Sequence, residues 1–152
     1  PLHAQKAYAD SRYKEEDLKR VLDIWFESSS IAHDFLGLDQ LKEQKNLIRD
    51  SYLPMAETWV VVEDGELRGF ISLLDHYVGG LFLHPDHQGL GIGRRLIEKA
   101  LQEKGFLTVG VYEKNLASRK FYERMGFFYE SREVQEETGE VVLNLKKGEL
   151  PV

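Results

Sequence analysis

The segment "HPDHQGLGIGRRLIEKAL", residues 84–101, alternates three glycines with two aliphatic residues and then adds two arginines. From Gly93 onward its apolar residues recur at helical spacing, so a loop is predicted to lead into a helix. The first turn of a helix leaves several N–H groups without intrahelical partners, and the helix dipole is positive there. Glycines carry no side chains that would keep a ligand away. The pattern therefore predicts a phosphate or pyrophosphate loop, to which Arg94 and Arg95 can add ion pairs.

Two other anion-binding loops do not match this segment. The dinucleotide fingerprint G-x-G-x-x-G would need glycine where the chain has Arg94 or Leu96, and a P-loop would need Gly-Lys-Ser/Thr, which the sequence lacks. The pattern that remains is Gln88-x-x-Gly91-x-Gly93. A tight strand-to-helix turn without a ligand would also explain so short a pattern, so the surrounding elements have to decide.

Hydrophobic periodicity predicts the elements that lead up to the loop. Apolar residues at helical spacing predict one helix over residues 15–29 and a second over residues 38–53. From Thr58 the period becomes that of strands, and the Asp64-Gly65 dipeptide predicts a tight hairpin. The apolar side of the second helix is expected to consist of Leu38, Leu41, Leu47, Ile48 and Tyr52.

A parallel strand pair is predicted to flank the loop. The run "YVGGLFLHP", residues 77–85, is a strand whose glycine pair suits a bulge. The run "FLTVGVYE", residues 106–113, is a short apolar strand of the kind buried on both faces. A strand, a helix and a strand over this length form a βαβ unit with parallel strands. Residues 115–126 are then a helix between an Asn cap and a Gly stop, and residues 127–135 and 139–146 close the chain as an antiparallel pair.

The segment "NLASRKFYERMGF", residues 115–127, permits a family comparison. Together with Gln88-x-x-Gly91-x-Gly93 it resembles the two signatures of the Gcn5-related N-acetyltransferases (GNAT), and the element order is similar over residues 13–146. The resemblance implies the GNAT acyl-CoA N-acyltransferase fold, an α+β fold in α/β/α layers. Its mixed, mostly antiparallel sheet has a central splayed parallel strand pair flanked by helices. We expect one such domain over residues 1–152, in which residues 1–12 are a tail or a weak first strand.

The resemblance also implies the chemistry. A GNAT enzyme moves the acetyl group of acetyl-coenzyme A (acetyl-CoA) to a primary amine by direct attack through a tetrahedral intermediate. The loop would bind the pyrophosphate of this cofactor, and the pantetheine arm would lie between the splayed strands, where an N–H near Phe82 or Leu83 would polarise the carbonyl. The expected cofactor contacts are Leu81, Phe82, Leu83, Gln88, Gly89, Leu90, Gly91, Ile92, Gly93, Arg94, Asn115 and Tyr122.

Tyr122 and Asn115 each have two interpretations. In the family pattern Tyr122 would be the catalytic residue that lies near the sulfur and protonates the leaving thiolate. Its reference pKa of about 10 exceeds the roughly 8.5 of a thiol, so it would be a weak acid for this step. Tyr122 could instead be a core aromatic residue. Asn115 could contact the pantetheine amide or serve only as a helix N-cap.

The acceptor amine and the general base stay open. A lysine side chain with a pKa of about 10.4 is uncharged in only about one molecule in 2,500 at pH 7, so a lysine acceptor needs a base or a water chain. Residues 25–35 resemble those of a bacterial subgroup that acetylates protein lysines or small amines. Candidate bases are His84, Glu63, Asp75, His76 and His33. Acceptor contacts are expected from Trp25, His33, Phe35, His76 and His84.

The composition limits the kinds of partner that the protein can bind. A net charge of −6 argues against a nucleic-acid surface and agrees with a cationic acceptor, either a small-molecule amine or a lysine or N-terminal amine of a protein. No apolar run approaches the roughly 18 residues of a membrane helix, and there is no cysteine, so a cytoplasmic protein is expected. Whether it is a monomer or a homodimer stays open. Pro85 and the tight spacing around it disfavour a metal site at His84, Asp86 and His87. The alternative to an enzyme is a non-catalytic acyl-CoA sensor that has kept the pocket and lost turnover.

Overall fold

The structure is a computed structural model that describes residues 8–32, 35–85 and 91–148. In these residues the chain forms one seven-stranded sheet with helices on both faces. The strands are β1 (Tyr8–Arg12), β2 (Glu57–Glu63), β3 (Glu66–Leu74), β4 (Tyr77–Leu83), β5 (Phe106–Tyr112), β6 (Phe128–Val134) and β7 (Val141–Gly148). The helices are α1 (Leu18–Ala32), α2 (Leu38–Leu47), α3 (Leu53–Met55), α4 (Ile92–Lys104) and α5 (Leu116–Arg124). No helix in these ranges is long and apolar enough to cross a bilayer.

The strand order is β1-β2-β3-β4-β5-β7-β6, and β4 and β5 are the parallel neighbours in an otherwise antiparallel sheet. The predicted mixed sheet with its βαβ unit is thus confirmed. Asp64 and Gly65 form the predicted hairpin turn, with φ angles of 53° and 79°. β1 pairs with β2 along its whole length, so residues 8–12 are a first strand rather than a tail.

Each face of the sheet carries its own apolar core. On one face α4 and α5 cover the sheet, and Ile92, Leu96, Ile97 and Ala100 of α4 are almost fully buried there. On the other face α1 packs over β3 and β4, with Val21, Ile24 and Trp25 buried beneath it. The apolar spacing that predicted α1 and α4 marks the buried side of both helices.

The second predicted helix is confirmed in its extent but is not a regular α-helix throughout, and its predicted apolar side is partly wrong. α2 ends at Leu47, a π-helical turn follows over Ile48–Tyr52, and α3 covers only Leu53–Met55. The wider turn shifts the register of the residues in and after it, such as Tyr52, whereas Leu38 and Leu47 precede it and lie on the solvent side of α2. Leu41 is buried, but Leu38, Leu47 and Tyr52 are exposed.

The expectation that β5 is buried on both faces is also wrong. Leu107, Val109 and Val111 are buried against α4 and α5, while Phe106, Thr108, Gly110 and Tyr112 are only half-buried. The reason is that α1 packs over β3 and β4 rather than over β5. One face of β5 is therefore accessible beside its parallel neighbour.

Candidate active site

The two parallel strands separate soon after they meet. β4 and β5 are paired only at Tyr77 with Thr108 and at Val78 with Val109. The ladder between β3 and β4 shifts register at this point, because Gly80 pairs with Ser72 whereas Val78 pairs with Leu73. Gly79 is thus the extra residue of a bulge, and the predicted bulge is confirmed. Beyond the bulge the two strands leave a split in the sheet, closed at Tyr77 and open toward Leu83.

The phase of the β3–β4 ladder shows which backbone groups of β4 face this split. The N–H of His84 donates to the carbonyl of Arg68 at 2.9 Å. Hydrogen-bonded pairs alternate along an antiparallel ladder, so Phe82 also bonds to β3, whereas the N–H and C=O groups of Leu81 and Leu83 point the other way, into the split. The expectation that Phe82 offers its backbone to the split is therefore wrong. Its ring packs on the α1 face of the sheet, 6.3 Å from that of Trp25.

Helix α1 reaches the open end of the split through two neighbouring residues. The Ser28 hydroxyl donates to the carbonyl of Leu83 at 2.5 Å. Glu27 lies beside it and places its carboxylate 3.3 Å from Nε2 of His84. One turn of α1 thus holds the end of β4 that leads into the glycine loop.

The phase of the β5–β7 ladder fixes the opposite side of the split. The N–H of Glu113 donates to the carbonyl of Val141 at 2.8 Å, and the pairing in register places Gly110 opposite Asn144. By the same alternation the N–H and C=O of Gly110 point away from β7 and into the split. A Cβ atom at Gly110 would lie 2.9 Å from the Tyr77 hydroxyl, closer than real Cβ atoms approach a neighbour.

The start of α4 lies beyond the open end of the split. Gly91 is the N-cap residue, with φ of 81° and ψ of 3°, and a Cβ placed there would meet nothing within 4 Å among the described residues. Its backbone is therefore bare on the side facing solvent, as an anion site requires. Gln88, Gly89 and Leu90 lie outside the described residues.

The next three residues differ in what they can offer a ligand. Ile92 is 1% exposed, so it can contribute only backbone groups. A Cβ at Gly93 would lie 3.0 Å from the ring of Phe121, so close packing of α4 on α5 accounts for the missing side chain there. Arg94 is exposed and near enough to add charge at this end of the helix. Their contacts with a cofactor remain predictions.

Tyr122 is buried in the core between α5 and the sheet. Its ring makes edge-to-face contacts with Phe121 and Phe127 at 5.1 and 5.0 Å. Burial raises the pKa of its hydroxyl well above the usual value, and the neighbouring Tyr77 raises it further. Tyr122 is thus a core residue, and a catalytic role for its hydroxyl remains a prediction. At neutral pH it keeps its proton.

Asn115 is the N-cap of α5. Its Oδ1 accepts a hydrogen bond from the N–H of Ser118 at 3.1 Å, as the capping interpretation requires. Asn115 is also buried, with 5% of its surface exposed. A second role toward pantetheine remains a prediction.

Comparison with known proteins decides the family. A model of the acetyltransferase (GNAT) family matches residues 18–127, which is more than half of the chain. The chain belongs to this family. It is therefore an acetyltransferase. Membership of the family confirms the prediction of acetyl-CoA as its cofactor.

Individual relatives agree with this assignment of the acetyltransferase. Peptidyl-lysine N-acetyltransferase YiaC of Escherichia coli is 32% identical over 126 residues, which cover 82% of this chain and 86% of YiaC. Peptidyl-lysine N-acetyltransferase YjaB of the same organism is 35% identical over 129 residues, which cover 84% and 87%. The solution structure of apo YjaB superposes with a TM-score of 0.83 at 34% identity, covering 92% of this chain and 97% of that one.

A more distant structure shows the shared fold. PaiA N-acetyltransferase from Thermoplasma acidophilum, solved in complex with coenzyme A, superposes with a TM-score of 0.77 at 18% identity, covering 93% of this chain and 99% of that one. The predicted GNAT fold is therefore confirmed for this acetyltransferase.

The residues expected to contact the acceptor are not all in one place. Phe35 lies edge-to-face against Tyr112 of β5 at 5.2 Å, on the accessible face beside the split. Trp25 is only 3% exposed and packs beneath β4, so in this position it supports Phe82 and does not face an incoming acceptor. His33 lies outside the described residues.

The candidate bases of this acetyltransferase lie toward the two ends of the sheet, and Glu63 is on β2, two strands away from β4. His84 and Glu63 are at the open end, where the buried Glu63 carboxylate lies 3.5 Å from Nε of Arg68. His76 is just beyond the closed end, where it stacks on Phe106 at 3.9 Å and hydrogen-bonds the carbonyl of that residue at 3.1 Å. The side chain of Asp75 is largely exposed and lies 3.7 Å from His76. The assignment of a base thus remains a prediction.

Two residues at the split were missed by the sequence reasoning, Tyr77 and Gly110. A lone glycine inside an apolar strand signals close backbone approach, and Gly110 carried that signal. Tyr77 carried a weaker one, since it precedes the bulge glycines by two residues. Nothing in the sequence indicated that these two residues meet, because they lie on different strands.

Proposed function

We propose that this chain transfers the acetyl group of acetyl-CoA to the side-chain amine of lysine residues in proteins. The observation that carries the proposal is the split, whose two sides offer the backbone of Leu81, Leu83 and Gly110 where an ordinary sheet would pair β4 with β5. Two relatives similar over most of this chain are named peptidyl-lysine N-acetyltransferases, which supports lysine as the acceptor. The acidic net charge of −6 favours approach of a cationic protein segment.

The described residues fit the cofactor in three parts. The bare N-terminus of α4 at Gly91 suits the diphosphate, and Arg94 adds positive charge. The outward N–H and C=O groups of Leu81 and Leu83 suit the amide groups of the pantetheine arm, which would lie along β4 like an added strand. When bound, acetyl-CoA supplies an acetyl group already activated as a thioester.

The chain's own residues then handle charge and protons. A backbone N–H of β4 that faces the split polarises the acetyl carbonyl, for which Leu81 or Leu83 is suited and Phe82 is not. In the transfer a C–N bond forms and the C–S bond breaks. The amine gives up one proton to water, the departing sulfur gains one from Tyr122, and water then returns a proton to Tyr122. Tyr122 keeps its proton at neutral pH and donates it to that sulfur. Its raised pKa makes it a weak acid, so its contribution is moderate. We infer that the amine attacks the acetyl carbon directly, as the family resemblance implies, and the sequence has no cysteine that could carry the acetyl group as an intermediate.

The proposal is tested by thiol release from acetyl-CoA with a peptide whose single lysine is the only free amine, its N-terminus being blocked. We expect release that depends on this peptide and not on the same peptide with its lysine acetylated. Release only with peptides that have a free N-terminus would show an α-amine acceptor instead. Tight coenzyme A binding without acceptor-dependent release would show a binding module and contradict the enzyme.

The pH dependence adds a second discriminating measurement. A free lysine amine has a pKa of about 10.4, so its neutral fraction rises about tenfold per pH unit between pH 7 and 9. The kcat/KM for the lysine peptide should rise in the same way if the amine loses its proton to water before it binds. For an α-amine with a pKa near 7.8 the rise would level off by pH 8.

A further inference from the structure

Tyr77 stands at the closed end of the split. It is the first residue of β4 and pairs with Thr108 of β5, just before the strands separate. Val78 is buried toward α4 and α5, so by the alternation of a strand Tyr77 points to the opposite, accessible face. Tyr77 is 41% exposed, although its hydroxyl lies against the backbone of β5.

Gly110 makes room for this hydroxyl. A Cβ at position 110 would lie 2.9 Å from the Tyr77 oxygen and 3.0 Å from Cγ1 of Val142. Glycine in a strand interior weakens the strand, so its presence here needs a reason. Since the backbone of Gly110 faces the split, the missing side chain lets the Tyr77 hydroxyl rest over the split itself.

The surroundings of the Tyr77 hydroxyl suit an amine. Burial raises its pKa, Tyr52 raises it further, and a hydrogen bond with the Gly110 backbone lowers it. The charges of Glu133 and Tyr112 also raise the pKa. The phenol therefore stays protonated and neutral at pH 7, and its oxygen can accept a hydrogen bond from an amine N–H.

Tyr77 and Tyr122 lie on opposite faces of the sheet. Tyr122 is in the core beneath α5, while Tyr77 is on the accessible face and contributes to the raised pKa of Tyr122. An acetyl group between them would meet the attacking amine from the side of Tyr77. The sulfur would leave toward the side of Tyr122.

The accessible face around Tyr77 also suits the rest of a lysine side chain. Tyr52 is 46% exposed, and the Tyr112 hydroxyl is held by Gln135 at 2.7 Å. Aromatic rings accommodate both the aliphatic stem and the cationic head of lysine, and the carboxylate of Glu133 adds attraction for the charged form. These groups come from the π-helical turn, from β5 and from the end of β6.

We propose that Tyr77 binds the acceptor. Its hydroxyl occupies the space left by Gly110 at the closed end of the split and accepts a hydrogen bond from the lysine amine. This hydrogen bond directs the lone pair of the amine nitrogen at the acetyl carbon. This rests on the proposed lysine acetylation. Tyr77 orients the amine and does not deprotonate it, because a protonated phenol is not a base for an ammonium ion.

The test compares wild type with Tyr77→Phe, using acetyl-CoA and the single-lysine peptide. Removing one hydrogen bond to the amine should raise the KM for the peptide about tenfold. The KM for acetyl-CoA should stay within about twofold, because the arm lies along β4 beyond the bulge. Tyr129→Phe, at an exposed tyrosine of β6, is the matched control and should change neither constant.

A double-mutant cycle with Gly110→Ala tests the geometry. In wild type the new methyl group pushes the Tyr77 hydroxyl away, and kcat/KM for the peptide should fall about as far as in Tyr77→Phe. In the Tyr77→Phe background the same substitution should cost at least about threefold less, because only the contact with Val142 remains. Thermal unfolding of each variant shows whether it folds.

The outcomes separate the two proposals. Three results would overturn the role of Tyr77 even if wild type transfers acetyl to lysine. They are additive losses of kcat/KM in the double-mutant cycle, an unchanged KM for the peptide in Tyr77→Phe, and an equal rise in the KM values for peptide and acetyl-CoA. If wild type did not acetylate the peptide at all, the lysine function itself would fail, and the assignment of Tyr77 with it.

Discussion

The substitution that most directly tests the anion site is Gly91→Leu. Gly91 has a φ of 81°, which costs a residue with a side chain about 1–2 kcal/mol, and space for that side chain is open. For a chain of this size such a loss lowers the melting temperature by about 4 °C. The leucine side chain would also stand over the N–H groups at the start of α4. If one charge-assisted hydrogen bond of about 1.5–3 kcal/mol is lost, coenzyme A should bind about ten to a hundred times more weakly.

Gly65 provides a matched control for the strain. It has a φ of 79°, also has nothing within 4 Å of a Cβ atom, and lies in the β2–β3 hairpin. Gly65→Leu should therefore lower the melting temperature about as much as Gly91→Leu does. Its affinity for coenzyme A should be unchanged, since the hairpin turn is not part of the proposed site.

Isothermal titration calorimetry with coenzyme A, at a temperature where both variants are folded, gives the required comparison. The reasoning is refuted if Gly91→Leu binds coenzyme A as wild type does. It is equally refuted if Gly65→Leu loses as much affinity, because strain and not access to the N–H groups would then be the cause.

Three further predictions concern Tyr122 and Glu57. Tyr122→Phe should lower kcat with little change in coenzyme A affinity, because the phenol donates a proton only in the transfer; a parallel loss of binding in calorimetry would contradict that division of roles. Burial raises the pKa of Tyr122. The unfolded chain therefore loses the phenol proton near pH 10, whereas the folded chain keeps it. The free energy of unfolding should then fall by about 1.4 kcal/mol per pH unit above pH 10. Urea unfolding at pH 9.5 and 10.5 should show a shallower fall in Tyr122→Phe, and identical slopes would sink the argument. Hydrogen bonds from Lys104 and Trp59 lower the pKa of Glu57, so Glu57→Gln should lower the free energy of unfolding by about 1 kcal/mol at pH 7. This loss should vanish as the pH falls below the pKa of Glu57, because the carboxylate is then protonated. A loss that persists at pH 3 would count against this ion pair.

The parts of the fold that follow from local chemistry were predictable from the sequence. Asp64-Gly65 adopts positive φ angles in the hairpin, Asn115 caps α5, and Gly126 ends that helix with a φ of 92°. Each of these depends on a residue and its near neighbours along the chain. The apolar stripe of α4 was predictable for the same reason, since the residues that share a helix face are fixed by its period.

Features that depend on tertiary packing were not predictable in this way. The break of the second helix at Ile48–Tyr52 has no glycine or proline within the π-helical turn to announce it. The half-exposed face of β5 depends on where α1 lies across the sheet. The phase of the β3–β4 ladder, which turns Phe82 away from the split, depends on a register shift at Gly79 that the glycine pair suggested but did not position.

The split explains why this fold keeps an open edge inside its sheet. Unpaired N–H and C=O groups at a strand edge are costly when buried and invite pairing with another chain. Here the Leu83 carbonyl is met by Ser28 of α1, and the Tyr77 hydroxyl covers the backbone at Gly110. Ser28 is a side chain, which can move aside more easily than a strand could, whereas Tyr77 stays at the closed end to receive the acceptor. An extended arm with amide groups of its own would replace Ser28 along β4, so the pairing that β4 and β5 give up becomes binding energy for the cofactor.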